Sequence, residues 1–227
     1  MEDFTYRIVF SARRSLSITV SPADGVIVRA PMRMNPKRIE AFVAEKSDWI
    51  RKHLAGHADI VRLNGKKDYT DGDEFLYMGK KYRLVLSANR KQAVSLSGDF
   101  IVVQLKDTSD KRKVKTLIDN WYSRNAREIL TGLTIQVTDQ YRDYDFRPQK
   151  IVVRASKTRW GSCSSSGVIS LSSELIKLDP KFYDYIILHE LCHLSHHNHG
   201  AGFYKLLEKL KPDYREIRKE LRKYVMK

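Results

Sequence analysis

The 227-residue chain has little cysteine, glycine or proline, and it has no long apolar run. Its 2 cysteines cannot build the disulfide framework of a small secreted protein, so a reducing, cytoplasmic location is expected. With 11 glycines and 6 prolines, collagen-like and low-complexity classes are excluded. The apolar runs are far shorter than the roughly 18–20 residues of a transmembrane helix, and the alternating N-terminus is unlike a secretory signal. No membrane insertion is expected.

Positive charge is what the sequence has in excess. Lys and Arg number 42 against 27 Asp and Glu, which gives a net charge of +15. This balance favours polyanionic partners such as nucleotides or nucleic acid. The basic residues are spread along the chain instead of forming one stripe, so a solvated basic surface is an equally good interpretation.

The N-terminal part, residues 1–109, is predicted to be strand-rich with one helix. Alternation of apolar and polar residues on both sides of a turn at 21–25 predicts a β-hairpin. Apolar residues at helical spacing after Asn35 predict an amphipathic helix over 36–55. A polar connection over 56–72 follows, and two further hairpins are then expected, with turns at Gly79-Lys80-Lys81 and Ser97-Gly98-Asp99.

The C-terminal part, residues 110–227, is predicted to be mainly helical. A long helix begins near residue 110, and Gly132 leaves its end open. Short strands are expected at 151–154 and 168–171, a helix opens at Pro180, and a last helix from about 201 to 225 is interrupted at Pro212. The fold class is therefore α+β, and because no Pro/Gly/Ser-rich linker separates the two parts, they are expected to pack as one unit.

The motif that indicates chemistry is H-E-x-x-H at His189-Glu190-Leu191-Cys192-His193. On a helix, residues four positions apart lie on one face, so His189 and His193 can bind one metal ion. Glu190 can then reach a metal-bound water and act as general base. The alternative is a histidine-rich helix end that binds no metal.

The third ligand must come from beyond the helix. Eight residues of helix span ~12 Å, so His197 lies too far from His189 for zinc–nitrogen bonds of ~2.0–2.1 Å. The chain must turn first, and Asn198 and Gly200 are residues that end helices. His199, which stands between them, is the predicted ligand.

The remaining side chains between residues 189 and 199 are not predicted to bind the metal ion. His196 is expected to be solvent-exposed, His197 to be exposed or to support a ligand, and Cys192 to be buried packing. Three histidine ligands with an open fourth position form a catalytic zinc pattern, so one Zn²⁺ per chain is predicted.

The chain closely resembles the YgjP-like metallopeptidase family, which is related to the SprT-like and WLM zinc proteases of the zincin superfamily. The resemblance rests on four stretches: residues 157–164 (KTRWGSCS), 169–171 (ISL), 189–194 (HELCHL) and 198–204 (NHGAGFY). It implies a compact zincin-like catalytic part with HExxH on a helix, zinc bound by His189, His193 and His199, and Glu190 as the base.

Three positions depart from the family pattern. Ser172 and Ser173 stand where Asn and Trp are expected after the strand, and Gly200 stands where Ser is common. None of them is a predicted metal ligand, but the serine pair can alter what lies beside the cleft.

Arg159 and Trp160 are candidate substrate-binding residues. Arg159 can hold a carboxylate or phosphate with two hydrogen bonds, and Trp160 can form a wall of the cleft beside a strand edge that pairs with extended substrate. Equally, Trp160 can be core, Arg159 can pair with a local acid, and Gly161-Ser162 can simply turn the chain.

Three functions compete. A metallopeptidase acting on peptide or protein substrates is the leading hypothesis. A metal-dependent nucleotide phosphohydrolase of the pyrophosphatase type would use the same metal and base, with Arg159 and the positive charge neutralising phosphates. A nucleic-acid-associated protease would use the basic surface to reach its substrates.

Overall fold

The computed structural model describes residues 4–21, 24–54, 67–156 and 158–224. Outside these residues lie the middle of the first predicted turn, most of the predicted connection over 56–72, Lys157 and the chain beyond 224. The described chain forms two compact units: residues 4–54 with 222–224, and residues 67–221. The division into parts 1–109 and 110–227, packed together, stays a prediction.

The first unit contains a three-stranded sheet. Its strands β1 (Tyr6–Ser11), β2 (Ser17–Ser21) and β3 (Gly25–Pro31) lie in the order β1-β3-β2. The antiparallel pairing of β2 with β3 confirms the first predicted hairpin. Strand β1 runs parallel to β3, a pairing that alternation along one strand cannot reveal.

Two short helical segments complete the first unit. Helix α1 (Pro36–Glu45) begins at Asn35, whose side chain accepts a hydrogen bond from the Lys37 amide at 2.9 Å. A turn at Lys46 separates it from α2 (47–54), so the single helix predicted over 36–55 is interrupted. The apolar face of both segments belongs to one buried cluster with the sheet: Val26, Val28, Ala30, Ile39, Val43 and Ile50.

The second unit begins with a four-stranded sheet. Strands β4 (Glu74–Tyr77), β5 (Lys80–Ala88), β6 (Ala93–Ser97) and β7 (Phe100–Leu105) lie in the order β4-β5-β7-β6. Both predicted hairpins are confirmed, because β4 pairs antiparallel with β5 and β6 with β7. The parallel pairing of β5 with β7 joins the two hairpins into one sheet.

A 30-residue helix, α3 (Lys111–Gln140), follows this sheet. Asp110 begins it by accepting a hydrogen bond from the Lys113 amide at 3.0 Å, and the helix continues through Gly132. Its buried face includes Val114, Ile118, Trp121, Tyr122, Ala126 and Leu130. No helix in the described part of the chain has the length and apolarity to span a bilayer.

A second small sheet follows α3. Strands β8 (Lys150–Arg154), β9 (Gly161–Cys163) and β10 (Val168–Ser172) lie in the order β8-β10-β9. β10 runs parallel to β8 and antiparallel to β9, so β9 is an edge strand. The alternative in which Gly161-Ser162 simply turns the chain is therefore wrong, and the predicted strand edge is present at these residues.

Three helices close the chain: α4 (Lys181–Ser195), α5 (Ala201–Leu210) and α6 (Tyr214–Leu221). Most of α4 is buried, which agrees with its nearly continuous apolar sequence. The split between α5 and α6 confirms the interruption predicted near Pro212. The described chain is thus α+β, as expected.

Candidate metal centre

Three imidazoles converge at the end of α4. His189 and His193 lie one turn apart on α4, and His199 lies in the segment between α4 and α5. The Nε2 atom of His199 is 3.0 Å from that of His189 and 3.1 Å from that of His193. All three nitrogens lie within 4.8 Å of one another, close enough to coordinate one ion.

The turn that delivers His199 begins earlier than the sequence suggested. Helix α4 ends at Ser195, and His196 continues in extended backbone with φ −134° and ψ 94°. Asn198 and Gly200 therefore do not end α4; Gly200 is instead the residue from which α5 begins. The extended backbone at His196 turns the chain out of the helix axis, which brings His199 back over the first two imidazoles.

The same turn fixes the tautomer of one imidazole. The carbonyl of His196 can only accept, so Nδ1 of His193 donates to it at 3.0 Å. Nε2 of His193 consequently carries the lone pair and faces the cluster. A backbone carbonyl thus leaves Nε2 of His193 able to bind a metal ion.

The two other histidines of the segment lie outside the cluster. His196 was expected to be solvent-exposed, but it is half-buried, with its ring against Gly202. His197 is exposed and lines the cleft without joining the three converging nitrogens.

A buried phenylalanine contacts all three imidazoles. Phe203, in the first turn of α5, is 1% exposed. Its ring centroid lies 4.9 Å from that of His189, 4.6 Å from that of His193 and 4.7 Å from that of His199. These are aromatic contact distances, so one side chain holds the three imidazoles in position.

Burial and mutual repulsion disfavour the protonated form of two of the imidazoles, His189 and His199. The pKa of His189 falls to about 3, first because the ring is desolvated and then because His193, His199 and Arg218 are nearby. Desolvation also lowers the pKa of His199. Neutral imidazole is the form that binds metals, so the lowered pKa values of these two rings favour metal binding at neutral pH.

The cluster fits a transition-metal ion. The Nε2 atoms converge at 3.0–3.1 Å, a spacing at which one cation can be shared, and the lowered pKa values of His189 and His199 disfavour a competing second proton on these rings. Tetrahedral zinc with bonds of ~2.0–2.1 Å separates ligand nitrogens by ~3.3 Å. The Nδ1 atom of His189 is buried without a hydrogen-bond partner among the described residues, so neighbours fix its orientation only by packing.

Glu190 places a buried carboxyl group beside this cluster. It is 5% exposed and is one of the few buried charged or polar residues of the described chain. Desolvation raises its pKa to about 8, while the positive charge of Arg159 opposes the rise. A carboxyl group with a pKa near neutrality can both accept and donate a proton under physiological conditions.

The absence of a side chain at Gly161 makes room for Glu190. A Cβ atom at this position on β9 would lie 2.5 Å from Oε1 of Glu190 and 2.9 Å from its Cδ. Glycine inside a strand is typical of such close approach. The sequence offers this signal, but a glycine there is equally compatible with a turn.

The three histidines and Glu190 line one open cleft. Its volume is about 530 Å³, and β9 provides its opposite side. Arg159 also lines this cleft, next to Gly161. Trp160 is half-buried and is not among the described residues that line the cleft, although its carbonyl accepts a hydrogen bond from the Ser172 amide at 2.8 Å.

The two cysteines differ in position. Cys192 is 0% exposed, with a pKa raised to about 12 by desolvation, which confirms that it is buried packing. Cys163 lines the cleft, and desolvation followed by the charge of Glu190 raises the pKa of its thiol. A thiol with a raised pKa stays protonated at neutral pH and is a poor nucleophile.

Comparison with known proteins places the sequence in a family. The sequence model of the YgjP-like metallopeptidase domain matches residues 14–224. Among solved structures, the metallopeptidase zymogen abylysin of Pyrococcus abyssi is 23% identical, with a TM-score of 0.36 over 40% of this chain and 90% of its own. The zymogen jannalysin of Methanocaldococcus jannaschii is 22% identical, with a TM-score of 0.36 over 40% and 92%. No curated protein matches significantly.

Proposed function

The chain belongs to the YgjP-like metallopeptidase family and is a metal-dependent hydrolase, and from this premise we propose that it is a zinc peptidase with Glu190 as its general base. The observation that carries the proposal is the convergence of three imidazole nitrogens beside a buried carboxyl group. Three nitrogen ligands leave a coordination position open for substrate or water, whereas a structural zinc site is closed by four protein ligands.

His189, His193 and His199 would hold the ion. Neutral imidazole nitrogens suit zinc better than magnesium or calcium, which prefer oxygen ligands. One zinc per chain is therefore proposed. A bound zinc ion would act as a Lewis acid, which polarises a carbonyl group and lowers the pKa of water.

Glu190 would transfer the proton. Its carboxylate accepts a proton from the water that attacks the substrate carbonyl, and the resulting acid donates that proton to the leaving amine nitrogen. Burial supports this role, because a pKa near 8 lies close to physiological pH. Arg159 would keep enough of the group ionised by lowering that pKa.

The substrate would lie along β9. This strand is at the edge of its sheet and lines the cleft opposite the histidines, so its free backbone groups can pair with an extended peptide. Arg159 would contact the bound chain, because it lines the cleft. Trp160 adjoins both Arg159 and β9 without lining the cleft, and its contact with substrate stays a prediction.

A nucleotide phosphohydrolase remains the second candidate. Arg159 at the cleft and the net charge of +15 favour it, because phosphates need positive partners. The same basic surface would support a nucleic-acid-associated protease, for which binding should weaken steeply with salt. The cytoplasmic location also stays a prediction.

The test uses zinc-reconstituted protein with an unstructured protein substrate and with a panel of nucleotides. Glu190→Gln should retain zinc while turnover falls by roughly 10²–10⁴, the usual contribution of a general base. His199→Ala should lose most of the zinc, and His197→Ala is the matched control that should keep it. Turnover of nucleotides alone would replace the peptidase by the second candidate, and full activity of Glu190→Gln would remove it as the base.

A further inference from the structure

One face of the β8–β10–β9 sheet is apolar, and the other becomes polar towards the ends of β8 and β10, beyond Val152 and Val168. Ile169 and Leu171 of β10 are buried in the core. Because side chains alternate along a strand, Ser170 and Ser172 point to the opposite face. The strand register pairs Ser162 with Ser170, which adds a third hydroxyl group to that face.

Positive charge is added to this polar face from β8. The parallel register pairs Arg154 with Ser172, so Arg154 shares the face with the hydroxyl groups. A cavity of about 470 Å³ is lined by these residues together with Arg159, and no carboxylate is among the described residues that line it. Neither guanidinium forms an ion pair within the described parts of the chain.

This polar cavity adjoins the cleft that the three histidines line. Arg159, Gly161 and Ser162 line both, so the two spaces meet at the edge strand β9. A peptide paired with β9 would project successive side chains to opposite sides. One of them would enter the polar cavity while the backbone passes the histidines.

We propose that the polar cavity binds an anionic side chain of the peptide substrate close to the scissile bond, an inference that rests on the peptidase function proposed above. Guanidinium groups hold carboxylate and phosphoryl oxygens with paired, charge-assisted hydrogen bonds. The half-buried hydroxyl groups of Ser162 and Ser170 can supply further donors to the same oxygens, whereas that of Ser172 is buried and donates to the Ser156 carbonyl. The cavity therefore selects substrates with an acidic or phosphorylated residue at one position.

Three fluorogenic peptides that differ at one position, carrying Glu, Gln or phosphoserine, test the proposal. The zinc-loaded protein should cleave the Glu peptide with a kcat/KM about 10- to 100-fold above that of the Gln peptide, the scale of hydrogen bonds to a charged group. Arg154→Gln should reduce this ratio to near one. Lys150→Gln, which removes the same charge at the other end of β8 outside the cavity lining, should leave the ratio unchanged.

Peptide binding to the zinc-loaded Glu190→Gln variant gives a second readout that needs no cleavage. If this variant binds the anionic peptides selectively, and Arg154→Gln abolishes that selectivity, the cavity proposal is supported. If the wild-type protein nevertheless cleaves none of the peptides, only the peptidase proposal is overturned. Cleavage of all three peptides with equal kcat/KM and equal affinity overturns the cavity proposal alone. A preference for phosphoserine over Glu, with the same dependence on Arg154, identifies the anion as phosphoryl.

Discussion

Replacing Gly161 by alanine tests how closely the active site depends on the position of one carboxyl group. The new Cβ atom would lie 2.5 Å from Oε1, 2.8 Å from Cγ and 2.9 Å from Cδ of Glu190. Ordinary contacts between such atoms are about 3.5 Å, so the carboxyl group must move by about 1 Å. A displacement of about 1 Å in a reacting group can cost about 10²-fold in rate.

The expected result is a fall of about 10²-fold in kcat/KM, with zinc content near one per chain. Metal analysis and peptide hydrolysis on the same preparation separate the two quantities. Gly132→Ala is the matched control, because its Cβ meets no atom within 4 Å. This control should keep full activity and gain about 0.5–1 kcal/mol in the free energy of unfolding, since it lies inside α3.

A variant that carries both Gly161→Ala and Glu190→Gln shows whether the loss of activity in Gly161→Ala is caused by displacement of Glu190. If Gly161→Ala acts only by displacing that carboxyl group, it should lower the activity of Glu190→Gln little further, because the two changes remove one function. Full activity in zinc-loaded Gly161→Ala would refute the reasoning, and so would equal, independent losses in the double variant.

Three further predictions follow from the charges and caps described above. Arg159→Gln removes the positive charge that lowers the pKa of Glu190, so the acidic limb of the kcat/KM profile should move to higher pH; an unmoved limb would show that this charge does not act on the base. In the metal-free protein, the pKa of Glu190 is raised from 4.5 to about 8, so the folded state binds the proton more tightly and stability should fall as pH rises through this window. Urea unfolding across pH should show that fall, and Glu190→Gln should remove it. Gly200→Ser places a capping hydroxyl group at the start of α5, where its Cβ meets nothing within 4 Å. It should raise the free energy of unfolding by a few tenths of a kcal/mol. An unchanged or lower free energy of unfolding would count against the cap.

Local patterns in the sequence predicted most elements of the fold. Alternation located the three hairpins, and helical spacing located α3 and the helix that begins after Pro180. The parallel pairs β1–β3 and β5–β7 could not be predicted, because each joins strands whose contact depends on the whole unit. The break at Lys46 was missed because apolar spacing continues across it.

The candidate site shows the same division between local and non-local information. The spacing of His189 and His193 follows from helix geometry, and the need for a turn before His199 follows from helix rise. The residue at which the chain turns was misplaced, because the extended conformation of His196 is set by the contacts of its carbonyl and ring. The contact between Gly161 and Glu190 joins residues far apart in sequence, so only the packing of β9 on α4 reveals it.

The position of Phe203 preorganises the three imidazoles of the candidate metal centre. A free imidazole can rotate about two side-chain bonds, and ordering it upon metal binding costs conformational entropy. Because one ring from α5 contacts all three imidazoles, this ordering is achieved when α5 docks and before an ion arrives. Metal affinity is therefore linked to the docking of α5: loosening this helix weakens the site, and a bound ion in turn stabilises the helix by mass action.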